Sequence, residues 1–267
     1  RNCDWSSDVC SSDLPRTREM WGGFEALLPL MPAMHEMAPE HVHEDIELQG
    51  SDFSTYLPEW LSRPYRWRDY YFAHDQTPHY AWGKRALKAM TWLRGPNRWV
   101  MKSPPHMENF GPLIHTYPDA TVVVTHRDPI AVIQSAITML AYGDRNRRVE
   151  IDADGLAAYW VDRIERLLRA AVRDAHLIPT DQRVDVEFHE FMRDDLAMAE
   201  RILGTAGLDV PEGVRSALRT YLAGNPRGKD GRIVYDLRAD FGLEPDALRE
   251  RFAFYLDAFP QIVAEVH

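Results

Sequence analysis

The chain contains almost no cysteine. Cys3 and Cys10 are the only two among 267 residues, and both lie within the first ten. A disulfide scaffold and a cysteine-ligated zinc site in the body are therefore excluded, and a body without cysteine is typical of a cytoplasmic protein. The sequence also lacks an HExxH motif and any carboxylate cluster at metal-ligand spacing, so we expect no metal ion.

Long apolar runs and an excess of positive charge are missing as well. No stretch reaches the ~18 apolar residues of a membrane-spanning helix, and the net charge of −10 argues against a surface that coats nucleic acid. A small anionic ligand remains compatible, because a local cluster of arginines can bind phosphate on an acidic protein. Basic residues cluster at 145–148 and 227–232. Solvated loops are the alternative interpretation of both clusters.

The first fourteen residues do not resemble a protein segment. Asp4 to Leu14 reads DWSSDVCSSDL, with the near-repeat Ser-Ser-Asp and no helical or strand period. It has neither the basic nor the apolar region of a signal peptide. The eleven residues match, in order, the translation of a common short-read sequencing adapter. We therefore treat residues 1–14 as a non-native leader and expect the true sequence before Pro15 to be missing; a natural disordered tail is the alternative.

The body, residues 15–267, is long enough for one large α/β domain. Its hydrophobic periodicity alternates short apolar runs with amphipathic stretches, which favours a parallel sheet flanked by helices. Asp128 and Pro129 provide an N-cap and a first helical residue, and apolar residues then recur at Ile130, Ile133, Ile137 and Leu140 to pack on the sheet. The predicted strands are 98–102, 120–125 and 184–188, and the predicted helices are 18–37 (interrupted by prolines), 44–56, 79–94, 106–117, 129–140, 156–176, 195–207 and 246–257.

Polar residues follow two of these strands directly. Lys102 leaves the first strand and Arg127 leaves the second, at the edge where open parallel sheets bind their ligands. The planar fork of an arginine matches two phosphate oxygens, and the Ser135 hydroxyl, eight residues on, could bond the same phosphate. The alternative is that Arg127 pairs with Asp128 or another acid and that Ser135 only permits close packing. Spacing alone leaves the two interpretations even.

The run WVMKSPPHMENFGPLIHTYPDATVVVTHRDPIAVIQS, Trp99 to Ser135, resembles the core of the bacterial sulfotransferase family. The resemblance implies a P-loop-type α/β fold and PAPS (3′-phosphoadenosine 5′-phosphosulfate) as co-substrate. It further implies that Arg127 and Ser135 bind the 3′-phosphate of PAPS. The likeness extends over essentially all of residues 15–267.

Later segments also resemble this family. The loop after Asn225 is similar to a late basic loop that reaches the 3′-phosphate, which makes Arg227, Gly228 and Lys229 candidates. The family opens with a strand and a loop of the form P-R-[ST]-G-[ST]-[ST], which cradles the 5′-phosphosulfate. Pro15-Arg16-Thr17-Arg18 lacks its glycine and Ser/Thr pair, so we read the chain as a truncated sulfotransferase domain and expect little transferase activity from it.

Sulfuryl transfer needs a cation near the leaving group and a base for the acceptor proton. Lys102 is the candidate for the first role and His106 for the second, with His35 and Glu44 as weaker candidates. A solvated lysine and a histidine bonded to backbone are the alternatives, and some relatives use a carboxylate soon after the missing loop. The resemblance implies a small-molecule acceptor with a hydroxyl or amine, and the sequence does not indicate which one. The competing hypotheses are a P-loop nucleotide kinase-like phosphotransferase and an inert fragment.

Overall fold

The structure, a computed structural model, describes residues 14–35, 43–96 and 98–266. The predicted leader, apart from Leu14, lies outside the described residues. The elements are α1 (Leu14–Leu27), α2 (Met31–Met34), α3 (Ile46–Gly50), α4 (Leu57–Ser62), α5 (Tyr65–Ala73), α6 (Thr77–Arg94), α7 (Phe110–Thr116), β1 (Val122–His126), α8 (Pro129–Asp144), α9 (Ala153–Asp174), β2 (Arg183–Glu187), α10 (Phe188–Arg193), α11 (Asp195–Thr205), α12 (Glu212–Gly224), α13 (Leu237–Phe241), α14 (Pro245–Arg251) and α15 (Ala253–Ala258).

The described strands form a small parallel sheet. β1 pairs with β2 in a register that runs from Val122 opposite Arg183 to His126 opposite Glu187. Val122 and Val124 are buried against α7 and the segment after α9, as expected for a strand covered by helices. The predicted α/β class with a helix-flanked parallel sheet is confirmed.

The start of α8 follows from its first residues. The Asp128 side chain accepts a hydrogen bond from the Ile130 amide at 3.0 Å, which caps the helix as predicted. Ile130, Ile133 and Ile137 are fully buried, so the predicted apolar face exists. It packs on α9 and the C-terminal helices rather than on the sheet, which corrects the predicted partner.

Helix α9 runs through the centre of the main core. Trp160 contacts the rings of Tyr56 and Trp60, at centroid distances of 6.4 and 4.6 Å. Phe252 and Tyr255, which lie near the end of the chain, are buried in the same cluster. Residues 56–80 form a segment rich in tyrosine and tryptophan, and this aromatic segment therefore serves, in part, to pack helices. No helix in the described ranges combines the length and apolar content needed to cross a bilayer.

The predicted buried strand at 98–102 is wrong. This segment has no regular secondary structure, and the Val100 side chain is 91% exposed. A strand needs a neighbouring strand to satisfy its backbone groups, and here the Lys102 carbonyl instead accepts from the Asp45 amide at 3.3 Å. Trp99 turns its indole N–H towards Thr91 of α6, at 2.9 Å. In this apolar run Trp99 therefore contacts α6, and Val100 faces solvent.

The observed bounds of other helices differ less from the predicted ones. The helix predicted at 44–56 shortens to α3, and the one at 106–117 begins as a 3₁₀ turn, Pro104–Glu108, before α7. Two adjacent prolines at 104 and 105 lack the backbone N–H that a regular α-helix uses. The helix predicted at 246–257 divides into α14 and α15 at Phe252.

Candidate functional site

The carboxyl end of β1 is held by a buried histidine. His126 is 1% exposed, and its ring nitrogens contact the Tyr255 hydroxyl at 2.8 Å and the Asp185 carboxylate at 2.7 Å. Burial acts to raise the pKa of Asp185, but bonds from His126 and Arg183 outweigh it and lower that pKa. These contacts lock the last residue of the strand, so the next residue emerges from a fixed position.

That next residue is Arg127, which presents its guanidinium at the surface. The guanidinium lies 4.0 Å from the centroid of the Phe188 ring at the start of α10, a cation–π contact. Its Nε and Nη2 donate to both carboxylate oxygens of Glu265, at 2.7 to 3.1 Å. The alternative that Arg127 pairs with an acid is therefore realised, although the acid is Glu265 and not the adjacent Asp128.

Asp128 has two tasks at this strand end. One carboxylate oxygen caps α8, and the other accepts from the backbone amides of Glu265 and Val266, at 2.7 and 3.3 Å. The residue is fully buried. It therefore ties the last described residues of the chain to the start of α8.

Ser135 lies in the second turn of α8 and is half-buried. Within the described residues no hydrogen bond joins it to Arg127. The residues that flank it on the helix, Val132 and Ala136, line a cavity that Arg127 also borders. The predicted pairing of Arg127 with Ser135 on one phosphate thus remains a prediction.

The late basic loop reaches the same part of the molecule. Arg227 donates to the Met192 carbonyl at 2.8 Å and pairs with Asp195 at 2.9 Å, and its guanidinium lies 5.8 Å from the Phe191 ring. Gly228 has a φ of +75°, a left-handed conformation that favours glycine. Lys229 donates to Asn225 at 3.1 Å.

Helix α10 connects the two groups of predicted phosphate ligands. Phe188 at the start of α10 contacts the Arg127 guanidinium, and Phe191, one turn later, lies beside the Arg227 guanidinium. The fold therefore brings residues one hundred positions apart in the sequence to a single six-residue helix. Phe188 is not among the residues predicted from the sequence, because nothing local to it indicates a partner that follows β1.

The two predicted catalytic residues are each paired with an acid from the segment that immediately precedes α3. Lys102 is 70% exposed and pairs with Glu44. His106 is mostly buried, with Nε2 3.1 Å from Asp45 and Nδ1 2.7 Å from the Tyr80 hydroxyl. Burial acts to raise the pKa of Asp45, but the hydrogen bond and charge of His106 outweigh it and lower that pKa.

A cavity of about 500 Å³ lies beside Arg127. Pro104 and Met107 line one part of it, and Arg127 and Phe188 line another, while most of its wall is apolar or aromatic. Tyr56 and Trp60 from the aromatic segment contribute to this wall, among other residues. His106 itself faces a separate small pocket with Asp45 and Tyr80.

In the described part of the chain, no group of three His, Cys, Asp or Glu side chains is arranged to hold a metal ion. The weaker candidate Glu44 is engaged by Lys102. His35, the other weaker candidate, follows α2 and its backbone amide donates to Met31.

Comparison with known proteins identifies the family. The family model described as "Sulfotransferase family" matches residues 10–212, well over half of the chain. No curated protein matches. The chain is similar in structure to sulfotransferase STF9 of Mycobacterium avium, with 23% identity and a TM-score of 0.81 over 98% of this chain and 67% of that one.

A second solved structure supports the same fold. Sulfotransferase STF1 of Mycobacterium tuberculosis H37Rv is 24% identical, with a TM-score of 0.72 over 91% of this chain and 65% of that one. The chain thus spans about two thirds of the length of each solved relative. The structural likenesses show the fold, and the match to the family model shows that this chain belongs to the sulfotransferase family.

Proposed function

We propose that the chain is the larger part of a sulfotransferase that takes PAPS as donor, with Arg127 and Ser135 binding the 3′-phosphate. The observation that carries this proposal is the state of Arg127. It stands at the carboxyl end of β1, rests on Phe188 and already holds an oxyanion in a two-point fork. A phosphate offers the same pair of oxygens to such a fork.

Arg227 supports the same assignment from the other side of α10. Its guanidinium is partly exposed, with a side-chain exposure of 46%, so it can turn towards an anion near Phe188. Gly228 permits the left-handed turn that keeps the loop close to α10, and Lys229 adds a second positive charge. We assign all three to the 3′-phosphate side of the donor, with Arg127 as the principal ligand.

In the reaction a hydroxyl or amine of a small acceptor bonds to sulfur while the bond from sulfur to the bridging oxygen breaks. The acceptor proton passes to a base, and adenosine 3′,5′-bisphosphate leaves. We assign the cation beside the transferring group to Lys102, which must first release Glu44, and the base to His106. Such charge stabilisation and proton transfer are what side chains can supply without a metal.

The contacts of His106 define how it can act. In the neutral tautomer that satisfies both contacts, Nε2–H donates to Asp45 and Nδ1 accepts from the Tyr80 hydroxyl. Asp45, with its lowered pKa, stays ionised and stabilises the imidazolium that forms when Nδ1 gains a proton. A proton from the acceptor therefore arrives at Nδ1 either through the Tyr80 hydroxyl or after Tyr80 moves aside.

The 5′-phosphosulfate loop motif is absent from the sequence. Within this proposal the chain alone therefore binds the nucleotide but has little sulfate-transfer activity. The cytoplasm, where cysteine-poor proteins are common, is the proposed location.

Titration of adenosine 3′,5′-bisphosphate by calorimetry tests the proposal. We expect Arg127→Ala to weaken binding by about tenfold or more, because a charge-assisted bidentate contact is lost. Ser135→Ala should weaken it less. Arg238→Ala is the matched control, since Arg238 also donates to a carboxylate at 2.7 Å on an exposed surface. Equal affinities for the wild type and Arg127→Ala would refute the assignment.

A further inference from the structure

The last described residues form a strap across the end of β1. This C-terminal strap, residues 260–266, is attached at several points along its length. Gln261 donates to Glu187 at the end of β2, at 3.1 Å. The amides of Glu265 and Val266 donate to the buried Asp128. These bonds place the Glu265 side chain directly at Arg127.

Glu265 meets Arg127 with the geometry that a phosphate would use. Both carboxylate oxygens contact the Nε–Nη2 edge of the guanidinium, at 2.7 to 3.1 Å. Carboxylate and phosphate present equivalent pairs of oxygens to this edge. The same edge cannot chelate both anions at once, because its two N–H groups are already occupied by the oxygen pair of one anion.

We propose that Glu265 is a built-in competitor for the phosphate site, and that the nucleotide binds only when this carboxylate leaves Arg127. The proposal rests on the proposed function, since it assumes that Arg127 is the phosphate ligand. It adds a residue that sets the affinity of the site and a segment that must move when the site fills.

Electrostatics favour displacement over joint binding. With Glu265 in place the Arg127 charge is neutralised, so the pair offers little net attraction to a dianion. A phosphate beside the carboxylate would also meet a like charge at close range. Removal of the carboxylate frees a full positive charge.

The exchange is feasible because the pair is exposed. The Arg127 and Glu265 side chains are 38% and 28% exposed, and solvent-exposed ion pairs contribute little to stability. The Phe188 ring contacts the guanidinium independently of Glu265, so we expect it to hold Arg127 in position during the exchange.

The opposite role for Glu265 is also testable. A carboxylate on the Nε–Nη2 edge can orient an arginine so that Nη1 faces a ligand. In that case loss of the carboxylate would weaken nucleotide binding, whereas the competitor role predicts stronger binding. The sign of one measurement separates the two roles.

The experiment is calorimetric titration of adenosine 3′,5′-bisphosphate against the wild type, Glu265→Gln, Arg127→Ala and the double variant. Glu265→Gln keeps the side-chain size and both backbone bonds to Asp128. We expect it to tighten binding by about threefold to tenfold, since the apparent affinity is reduced by the fraction of molecules in which the site is blocked. The double variant should match Arg127→Ala.

Two further measurements sharpen the test. Glu244→Gln removes a carboxylate from another exposed arginine pair, with Arg238, and should leave the affinity unchanged. Hydrogen exchange of residues 260–266 in the wild type should speed up when the nucleotide binds, because the strap is released. A gain with Glu244→Gln equal to that with Glu265→Gln would mean a diffuse charge effect and would overturn the proposal.

The outcomes distinguish failure of the competitor role from failure of the proposed function. If Arg127→Ala loses affinity while Glu265→Gln is unchanged or weaker, the competitor role is wrong and the phosphate assignment stands. If Arg127→Ala binds as well as the wild type, the proposed function itself fails, and the competitor role fails with it. A gain that persists in the double variant would show that Glu265 acts on something other than Arg127.

Discussion

Two arginines of this protein each hold carboxylates in a fork, and their surroundings differ completely. Arg163 of α9 is 2% exposed and contacts Glu59 and Glu108, both nearly fully buried, at 2.6 to 3.2 Å. Arg127 is partly exposed and holds the carboxylate of Glu265. The same chemical pairing is therefore a fixed part of the core in one place and an exchangeable surface contact in the other.

Burial explains the difference. Burial acts to lower the pKa of Arg163, but the charges of Glu108 and Glu59 outweigh it and raise that pKa. Glu59 also accepts from the Tyr159 hydroxyl at 2.7 Å, so the polar groups are satisfied within the protein. The Arg163 and Glu59 side chains have almost no contact with water, so water does not readily replace a lost partner there, whereas it can at Arg127. Substitution of one partner in a buried network of this kind lowers the free energy of unfolding strongly, whereas the same substitution in an exposed pair has little effect.

The largest expected effect is at Arg163. Arg163→Met should lower the free energy of unfolding by about 3–5 kcal/mol, because Glu59 and Glu108 would remain buried without a cation. Urea denaturation followed by circular dichroism measures the loss. The control is Arg169→Met on the same helix, because Arg169 is largely exposed and its pair with Glu165 should contribute about 0–1 kcal/mol.

A combined variant examines the cause. With Glu59→Gln and Glu108→Gln added to Arg163→Met, no buried charge is left unpaired, so part of the loss should be recovered. If the combined variant is as unstable as the sum of the single changes, packing of the arginine stem and not charge pairing stabilises this region.

An intermediate effect is expected at Asp185, on the strand next to Arg127. Asp185→Asn should cost about 1–2 kcal/mol near neutral pH, through weaker bonds to His126 and Arg183. The folded-state pKa of Asp185 is lowered, so the carboxylate stabilises the fold above its unfolded pKa, near 3.8. This contribution is lost as the pH falls through the lowered folded value.

The measurement is urea denaturation of the wild type and Asp185→Asn across pH 2 to 7. The difference between them should shrink at the acidic end, below about pH 4. A difference that stays constant with pH would assign the effect to shape and not to ionisation of Asp185.

The smallest effect on stability is expected at Arg127 itself. Arg127→Ala should change the free energy of unfolding by less than about 1 kcal/mol, because its pair with Glu265 is exposed. The same variant should lose nucleotide affinity, so stability and binding separate at this residue. A stability loss comparable with that of Arg163→Met would erase the distinction between the two arginines.

Much of the fold could be predicted from local patterns. The capping of α8 by Asp128, its buried isoleucines and the strand that ends before Arg127 all appear where the sequence indicates. These features depend on residues within a few positions of one another. The run at 98–102 has an equally apolar pattern but forms no strand, because strand pairing depends on a neighbour that local sequence does not specify.

The features of the site likewise divide into those that the sequence predicts and those that only the tertiary structure sets. The position of Arg127 at a strand end, and the charge it brings there, follow from the sequence alone, as does the proximity in sequence of Lys102 to His106. Tertiary structure alone brought Glu265 to Arg127 across 138 residues, placed Phe188 beneath the guanidinium, and surrounded Arg163 with two glutamates from distant segments. Periodicity and capping depend on neighbouring residues, whereas the partner of a charged side chain depends on the path of the whole chain.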